Sequence, residues 1–364
     1  VKSILNELLL NPPKGYRVEP VYSTTTSKSY KYAKKFTFEF LGIKDIQSID
    51  TLIDFKKGDI FLGLDLAQHI VASNVEYYKK LQAFGVKTYF VVYDLLPIFY
   101  ENDFPKEWDL KTTHTNWLEV IKESSGALCI SKSVEKELLE YLEKNPSNSN
   151  SFLTDSFHLG ADLENSKPSK GFLSNSKIVL ESLAKRTTFL VVGTLEPRKS
   201  HKQTLEAFEN LWNDSIEVNL VIVGKVGWLV DELVAKLKKH SQLNERLFWL
   251  EGISDEYLQK VYENADCLIS PSKAEGFGLP LIEAARYDLP IIARDIPIFQ
   301  EVAQHHAYYF QNDDDPKTMS ESIKKWLDLY KQHNHPKSTD MPWLTWEESL
   351  SQLLKPLLDN NKRL

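Results

Sequence analysis

Apolar, strand-like runs alternate with helix-like stretches along two successive parts of this chain. That alternation predicts an α/β protein of two tandem, Rossmann-like doubly wound domains. Three observations carry the prediction. Short runs such as 189–193 (FLVVG) and 218–223 (VNLVIV) have the length and composition of parallel strands. Helical stretches separate them, as parallel strands require. A length of 364 residues accommodates two complete cores.

The first domain is expected over 1–160. It opens without Met, at Val1, directly into an amphipathic helix-like stretch at 4–10. Because an α/β domain usually begins with a strand, the chain reads as lacking a preceding segment, so a further domain is expected before Val1. Residues 17–23 alternate as a strand, and 24–58 give no clear pattern. From residue 59 the order is strand 59–64, helix 70–84, strand 87–93, helix 112–124, strand 126–131, helix 132–144 and a short strand near 152–157. A polar loop at 145–151 precedes that last strand. Residues 161–187, rich in Ser with Gly and Pro, read as an interdomain linker.

The second domain is expected over 188–340, with strands at 189–193, 218–223, 246–250, 266–270, 290–294 and 307–310. Its helices fall near 201–212, 228–240, 255–263, 280–288, 297–304 and 316–332. In the tail, 341–364, Trp343, Leu344, Trp346, Leu350, Leu353, Leu354 and Leu357 supply an apolar stripe. The stripe needs a partner, and the expectation is that this helix crosses back to the first domain.

Composition narrows the function. Hydrophobic content of 42% and 26% charged residues are ordinary globular values. A net charge of -7 gives no excess of cations for general nucleic-acid binding. Cys129 and Cys267 both sit inside apolar runs and read as small buried hydrophobes, which favours a reducing, cytoplasmic setting. Residues 1–44 carry eight Lys/Arg against three Glu, a local balance of +5, with Tyr30, Tyr32, Phe36, Phe38 and Phe40 interleaved. Such a segment either faces an anionic membrane or is a solvated surface crossed by a strand.

Chemistry concentrates where strands end. After the run 266–270, a short loop carries Glu275, Gly276, Phe277 and Gly278. Pro280 then suits the first turn of a helix that holds Glu283. A glycine-containing loop at a helix N-terminus offers N–H groups to an anion, whereas carboxylates beside it suit neutral hydroxyls of a sugar or ribose. From spacing alone, the two glutamates are equally well two solvated acids on a capped turn. Arg198 and Lys199, after strand 189–193, face the same strand ends and either hold a diphosphate or form a solvated basic turn. The run Asp313–Asp314–Asp315 precedes Pro316 and is expected to cap a helix, so no metal site is expected.

Taken together, V-G-T-L-E-P-R-K-S, G-K-V-G-W and E-G-F-G-L-P-L-I-E resemble the carboxyl-terminal domain of the family 4 retaining glycosyltransferases of GT-B fold. The E-x7-E spacing of that family matches Glu275 and Glu283. The subgroup with E-P-R-K resembles bacterial mannosyltransferases of O-antigen and capsule synthesis. The resemblance implies two domains facing a cleft and a nucleotide-diphosphate sugar donor, GDP-mannose favoured, with no other cofactor. The acceptor it implies is a glycan or lipid-linked glycan.

It implies that Arg198 and Lys199 hold the departing diphosphate, that Glu283 binds ribose hydroxyls, and that Glu275 orients the donor sugar. Backbone groups of Gly276, Phe277, Gly278 and Leu279 would contact sugar and phosphate. Gly252 and Ile253 would receive the base, with Gly193, Thr194 and Lys225 along the donor side and Trp228 nearby. Two features depart from the family: the opening strand and glycine-rich loop that members carry do not precede Val1, and Tyr93-Asp94 stands where His-Asp is common. Tyr93, Asp94 and His114 are the acceptor-side candidates, while His69 and His114 also fit ordinary structural roles. A donor-binding module without turnover and a nucleotide-sugar epimerase are the alternative readings.

Overall fold

The structure, a computed structural model, describes residues 1–44, 47–146, 152–162 and 169–361. Residues 147–151 of the predicted polar loop and residues 163–168 of the predicted linker fall outside them. The chain divides into two compact units. One comprises Val1–Phe99, Asp109–Gly160 and Thr345–Leu364; the other comprises Tyr100–Trp108 and Ala161–Leu344.

In the first unit, a two-residue antiparallel ladder joins β1 (Val21–Tyr22) to β2 (Lys31–Tyr32). The strand expected over 17–23 shrinks to β1; Pro20, lacking an N–H, stands just before it. The main sheet is parallel, in the order β3 (Ile60–Gly63), β4 (Lys87–Val92), β5 (Gly126–Cys129), β6 (Leu153–Ser156). Its centre, Val91, Val92, Leu128 and Cys129, is fully enclosed with Trp117 and Ile121 from the helix Leu110–Lys122.

The single helix expected over 70–84 is two, Gln68–Ser73 and Val75–Ala83. The break is at Asn74, which is 1% exposed and donates its side-chain amide to the Ile70 carbonyl at 2.8 Å. A local side-chain bond of this kind competes with the helical ladder. The carboxyl-terminal helix Trp346–Asn361 belongs to this unit, as its apolar stripe requires. It packs against the helix Lys2–Leu10, buries Leu350, Leu353 and Leu357, and reaches the Tyr89 hydroxyl through Asn360.

The second unit holds six strands, all parallel: β7 (Thr187–Val192), β8 (Val218–Val223), β9 (Leu247–Leu250), β10 (Cys267–Ser270), β11 (Ile291–Arg294) and β12 (Ala307–Phe310). Their order is β12-β11-β10-β7-β8-β9. The sheet therefore grows from β7 first in one direction and then, from β10, in the other. This reversal is the switch point at which doubly wound sheets receive ligands, beyond the carboxyl ends of the strands. Phe189, Val191, Leu220 and Ile222 form the core with Phe208, Leu211 and Trp326 from the flanking helices.

Residues expected to be pure linker include the helix Ser176–Leu183, which buries Val179 and Leu183. Only two apolar positions enter the core, so the polar composition of the stretch hides it. The segment Tyr100–Trp108 belongs to this unit although its neighbours in sequence do not. Trp228 holds it, donating its indole N–H to the Asp103 carbonyl at 2.8 Å and stacking on Phe104 at 5.8 Å.

Candidate functional site

The loops after β7 and β10 emerge side by side at the reversal, and they carry the charged residues. Glu275 Oε2 lies 2.9 Å from Arg198 Nη1, and Glu275 Oε1 accepts from Lys199 Nζ. Arg198 also reaches the Ala274 carbonyl at 2.7 Å and, through Nη2, Glu196 Oε1 at 2.5 Å. Glu196, which sequence reasoning gave no role, is only 3% exposed. The signal available for it was its place beside two cations at a strand end. Two carboxylates and two cations thus make a cluster of no net charge. Facing the same strand ends, the cations pair directly with Glu275, because β7 and β10 are hydrogen-bonded neighbours.

Burial alone would raise the Glu275 carboxyl, but the Lys199 ammonium and the Arg198 guanidinium outweigh it and hold it below its ordinary value. For Glu196 burial wins and the carboxyl is raised, with Arg198 and Lys199 pulling the other way. His201, next to Lys199, is 1% exposed and is pushed down to about 3 by burial, so the ring stays neutral. It lines, with Lys199, Ser272 and Glu275, a cavity of about 10 Å³, room for about one water.

Behind this cluster lies a second residue that the pattern of strand 290–294 did not single out. Arg294, at the end of β11, is completely buried. Its Nε donates to the Pro271 carbonyl at 2.7 Å and its Nη2 to Ser200 Oγ at 3.3 Å. It also binds Gln203 Oε1 and the Asp313 carbonyl, and its guanidinium lies 5.2 Å from the Phe310 ring centre. One side chain therefore ties together the segments after β7, β10 and β12. Asp315 caps the helix Pro316–Lys331 through its side chain, and Asp314 pairs with Lys273 at 2.7 Å. Among the described residues no three His, Cys, Asp or Glu converge as a metal site.

The remaining donor-side candidates sit around the same edge. Gly278 adopts φ +93° at the start of the helix Leu279–Arg286, and a Cβ there would meet Phe299 at 2.9 Å. Gly276 and Phe277 are buried, whereas Leu279 is exposed. Gly193 packs beneath the Lys199 side chain, and Thr194 and Lys225 are exposed beside it. Gly252 and Ile253 precede the helix Asp255–Glu263. Glu283 is the fifth residue of the helix Leu279–Arg286, and its Oε2 accepts from the Tyr262 hydroxyl at 2.8 Å.

The acceptor-side candidates lie in the first unit, at the end of β4 and on the helix Leu110–Lys122. Tyr93, half-buried, donates its hydroxyl to the Leu64 carbonyl at 2.6 Å, which fixes the ring and leaves the phenol oxygen able to accept. Asp94 accepts from the Leu96 N–H at 3.1 Å. His114 is fully buried, hydrogen-bonded to Gln68, and pushed down to about 4 chiefly by burial. His69 is exposed.

Residues 175–339 match the family model described as "Glycosyl transferases group 1". The second unit is a group 1 glycosyl transferase domain. The full chain is 42% identical to the serotype-specific mannosyltransferase WbdA of Escherichia coli, over 98% of this chain and 43% of that protein. It thus spans less than half the length of that relative. It is also 33% identical, over 41% of each chain, to the O-antigen chain mannosyltransferase RfbU of Salmonella typhimurium.

Among solved structures it is similar to HepE from Anabaena in complex with UDP and glucose, with a TM-score of 0.61 and 14% identity over 82% of this chain and 77% of that one. Sucrose-phosphate synthase from Thermosynechococcus elongatus gives a TM-score of 0.60 and 15% identity over 84% and 74%. At such identities the likeness establishes the fold, which is GT-B. The glycosyl transferase domain therefore has its two charged loops at the switch point of the sheet that defines it.

Proposed function

We propose that this chain is a retaining, metal-independent glycosyltransferase that moves a hexose onto a growing bacterial surface polysaccharide or lipid-linked glycan, with mannose from GDP-mannose favoured. The observation that carries the reading is the pairing of Arg198 and Lys199 with Glu275 at the switch point. The likeness to the mannosyltransferases WbdA and RfbU supports the sugar and the acceptor class.

On this reading the donor's diphosphate takes over part of the cations' coordination from Glu275. That carboxylate turns to a hydroxyl of the donor sugar, and Glu283 takes the ribose. The backbone of 276–279 and the glycine turns at Gly193 and Gly252 line the donor, with Thr194, Lys225 and Ile253. The acceptor oxygen bonds to the anomeric carbon on the face from which the diphosphate leaves. The C–O bond to phosphate breaks, and the hydroxyl proton passes to the departing phosphate oxygen. Charge stabilisation by two fixed cations and positioning then supply the acceleration that a metal provides elsewhere.

The test is transfer from GDP-mannose, compared with Glu275→Ala and Lys199→Ala, with the product's anomeric configuration read by NMR. Unchanged rates in both variants, or an inverted product, overturn the reading. A second reading is a nucleotide-sugar-binding module with little activity of its own. Nucleotide binding by calorimetry with no transfer to any acceptor would select it.

Contact with an anionic membrane, at the inner face of the cytoplasmic membrane, is part of the proposal. The helix Lys34–Phe40 buries none of its residues, stacks Phe36 on Phe40 at 5.5 Å, and carries Lys34 and Lys35. No helix among the described residues is long and apolar enough to cross a membrane.

A further inference from the structure

Glu283 is held by a residue outside every motif. Tyr262 comes from the helix Asp255–Glu263, which follows the Gly252 turn, and its hydroxyl donates to Glu283 Oε2 at 2.8 Å. Tyr262 is 3% exposed, and its ring stacks on Tyr287 with centroids 5.3 Å apart and planes 11° apart. The phenol is therefore fixed by its ring as well as by its hydroxyl. Burial raises the Tyr262 hydroxyl well above its ordinary value, so it remains a donor throughout the working range. Arg286, on the same helix as Glu283, is engaged by the Ala161 carbonyl at 2.7 Å and by the Trp343 ring at 5.6 Å. With Oε2 so engaged, Oε1 of Glu283 takes no hydrogen bond from the described residues.

We propose that Tyr262 is a positioning residue for nucleotide recognition, holding Oε2 of Glu283 so that Oε1 is presented to the ribose hydroxyls of a nucleoside diphosphate. The inference rests on the reading of Glu283 as the ribose-binding glutamate. A carboxylate with one oxygen fixed keeps only the rotamer that suits the ligand, so the cost of ordering it is met before binding. Burial raises the Glu283 carboxyl; the Tyr262 hydrogen bond and the Arg286 charge lower it, and Asp255 raises it. Removing the Tyr262 hydroxyl takes away one of the two lowering contributions. The acid limb of nucleotide affinity then moves to higher pH.

The experiment is calorimetry of the chain with GDP, UDP and ADP and with the 2′-deoxy and 3′-deoxy forms of whichever binds most tightly. Tyr262→Phe keeps the ring stack. It is expected to weaken the ribonucleotide about tenfold, the size of one hydrogen bond to a charged group, and to shrink the penalty for the deoxy forms. In transfer assays it raises the donor KM with kcat little changed. Glu283→Gln should abolish the same discrimination. The double variant should bind no more weakly than Glu283→Gln, because the two side chains act as one unit. Tyr262→Phe with parental affinity and the parental deoxy penalty overturns the inference while leaving the ribose role of Glu283 intact. A parent chain that binds nucleotides without discriminating against the deoxy forms overturns both.

Discussion

The Arg198 guanidinium meets the Glu275 carboxylate at 2.9 Å, with Lys199 on the other carboxylate oxygen. The pairing exists because β7 and β10 are neighbours where the sheet reverses. The cations' partner is thus a carboxylate of the chain itself, and this has consequences for substitution.

On the proposed reading, Glu275→Gln removes a negative charge that competes with a donor diphosphate for Arg198 and Lys199. GDP affinity is expected to hold or improve, while transfer falls by about 10²-fold or more, as for loss of one preorganised polar contact in a site of this kind. Lys199→Ala should lower both. Titration calorimetry beside initial rates checks the opposite directions.

The Glu275 carboxyl is depressed in the folded state relative to its ordinary 4.5. The unfolded chain therefore binds the proton first as pH falls. Its contribution to stability is complete above the unfolded value and is lost as pH drops through the folded one. The difference in urea midpoint between the parent and Glu275→Gln should be largest near neutrality and shrink below pH 4.5.

Two buried histidines give a second pH window. His114 and His201 are pushed down from 6.5 to about 4 and about 3 respectively, chiefly by burial. Between 6.5 and those values the unfolded state holds the extra proton, so acid costs up to about 1.4 kcal/mol per pH unit for each histidine. The slope of unfolding free energy against pH between 6 and 5 should flatten in His114→Gln.

Arg294→Ala leaves several enclosed acceptors without a donor, among them the Pro271 carbonyl and Gln203 Oε1. A loss of about 3 kcal/mol or more is expected from those groups. Arg294→Lys should recover little of it, since an ammonium cannot reproduce the fork. Thermal unfolding of the three proteins reads this directly.

Replacing Lys34 and Lys35 by Glu should abolish co-sedimentation with vesicles containing phosphatidylglycerol. Each basic residue near such a surface is worth about 1 kcal/mol. Equal sedimentation of parent and variant would remove the membrane from the proposal.

Local pattern was enough for much of this protein. The alternation of apolar runs and helices forecast both parallel sheets, because strand and helix periodicity are properties of short stretches. The acid run ending at Asp315 announced a helix cap, since capping needs only the residues beside it. Glu275 and Glu283 were legible as a spaced pair. What neighbours they have was not.

Strand order at the reversal brought Glu275 onto Arg198 and Lys199, and adjacency within a sheet is a non-local fact. The same holds for Arg294, whose role depends on segments from three different strand ends, and for Tyr262, which spacing gave no reason to choose. It holds too for Tyr100–Trp108, joined to the second unit by Trp228 rather than by sequence. The sequence by itself determined the periodic elements and the residue types at their ends. Only the tertiary structure decided which ends meet, because long-range pairing follows from burying whole faces together, and no single stretch encodes a face.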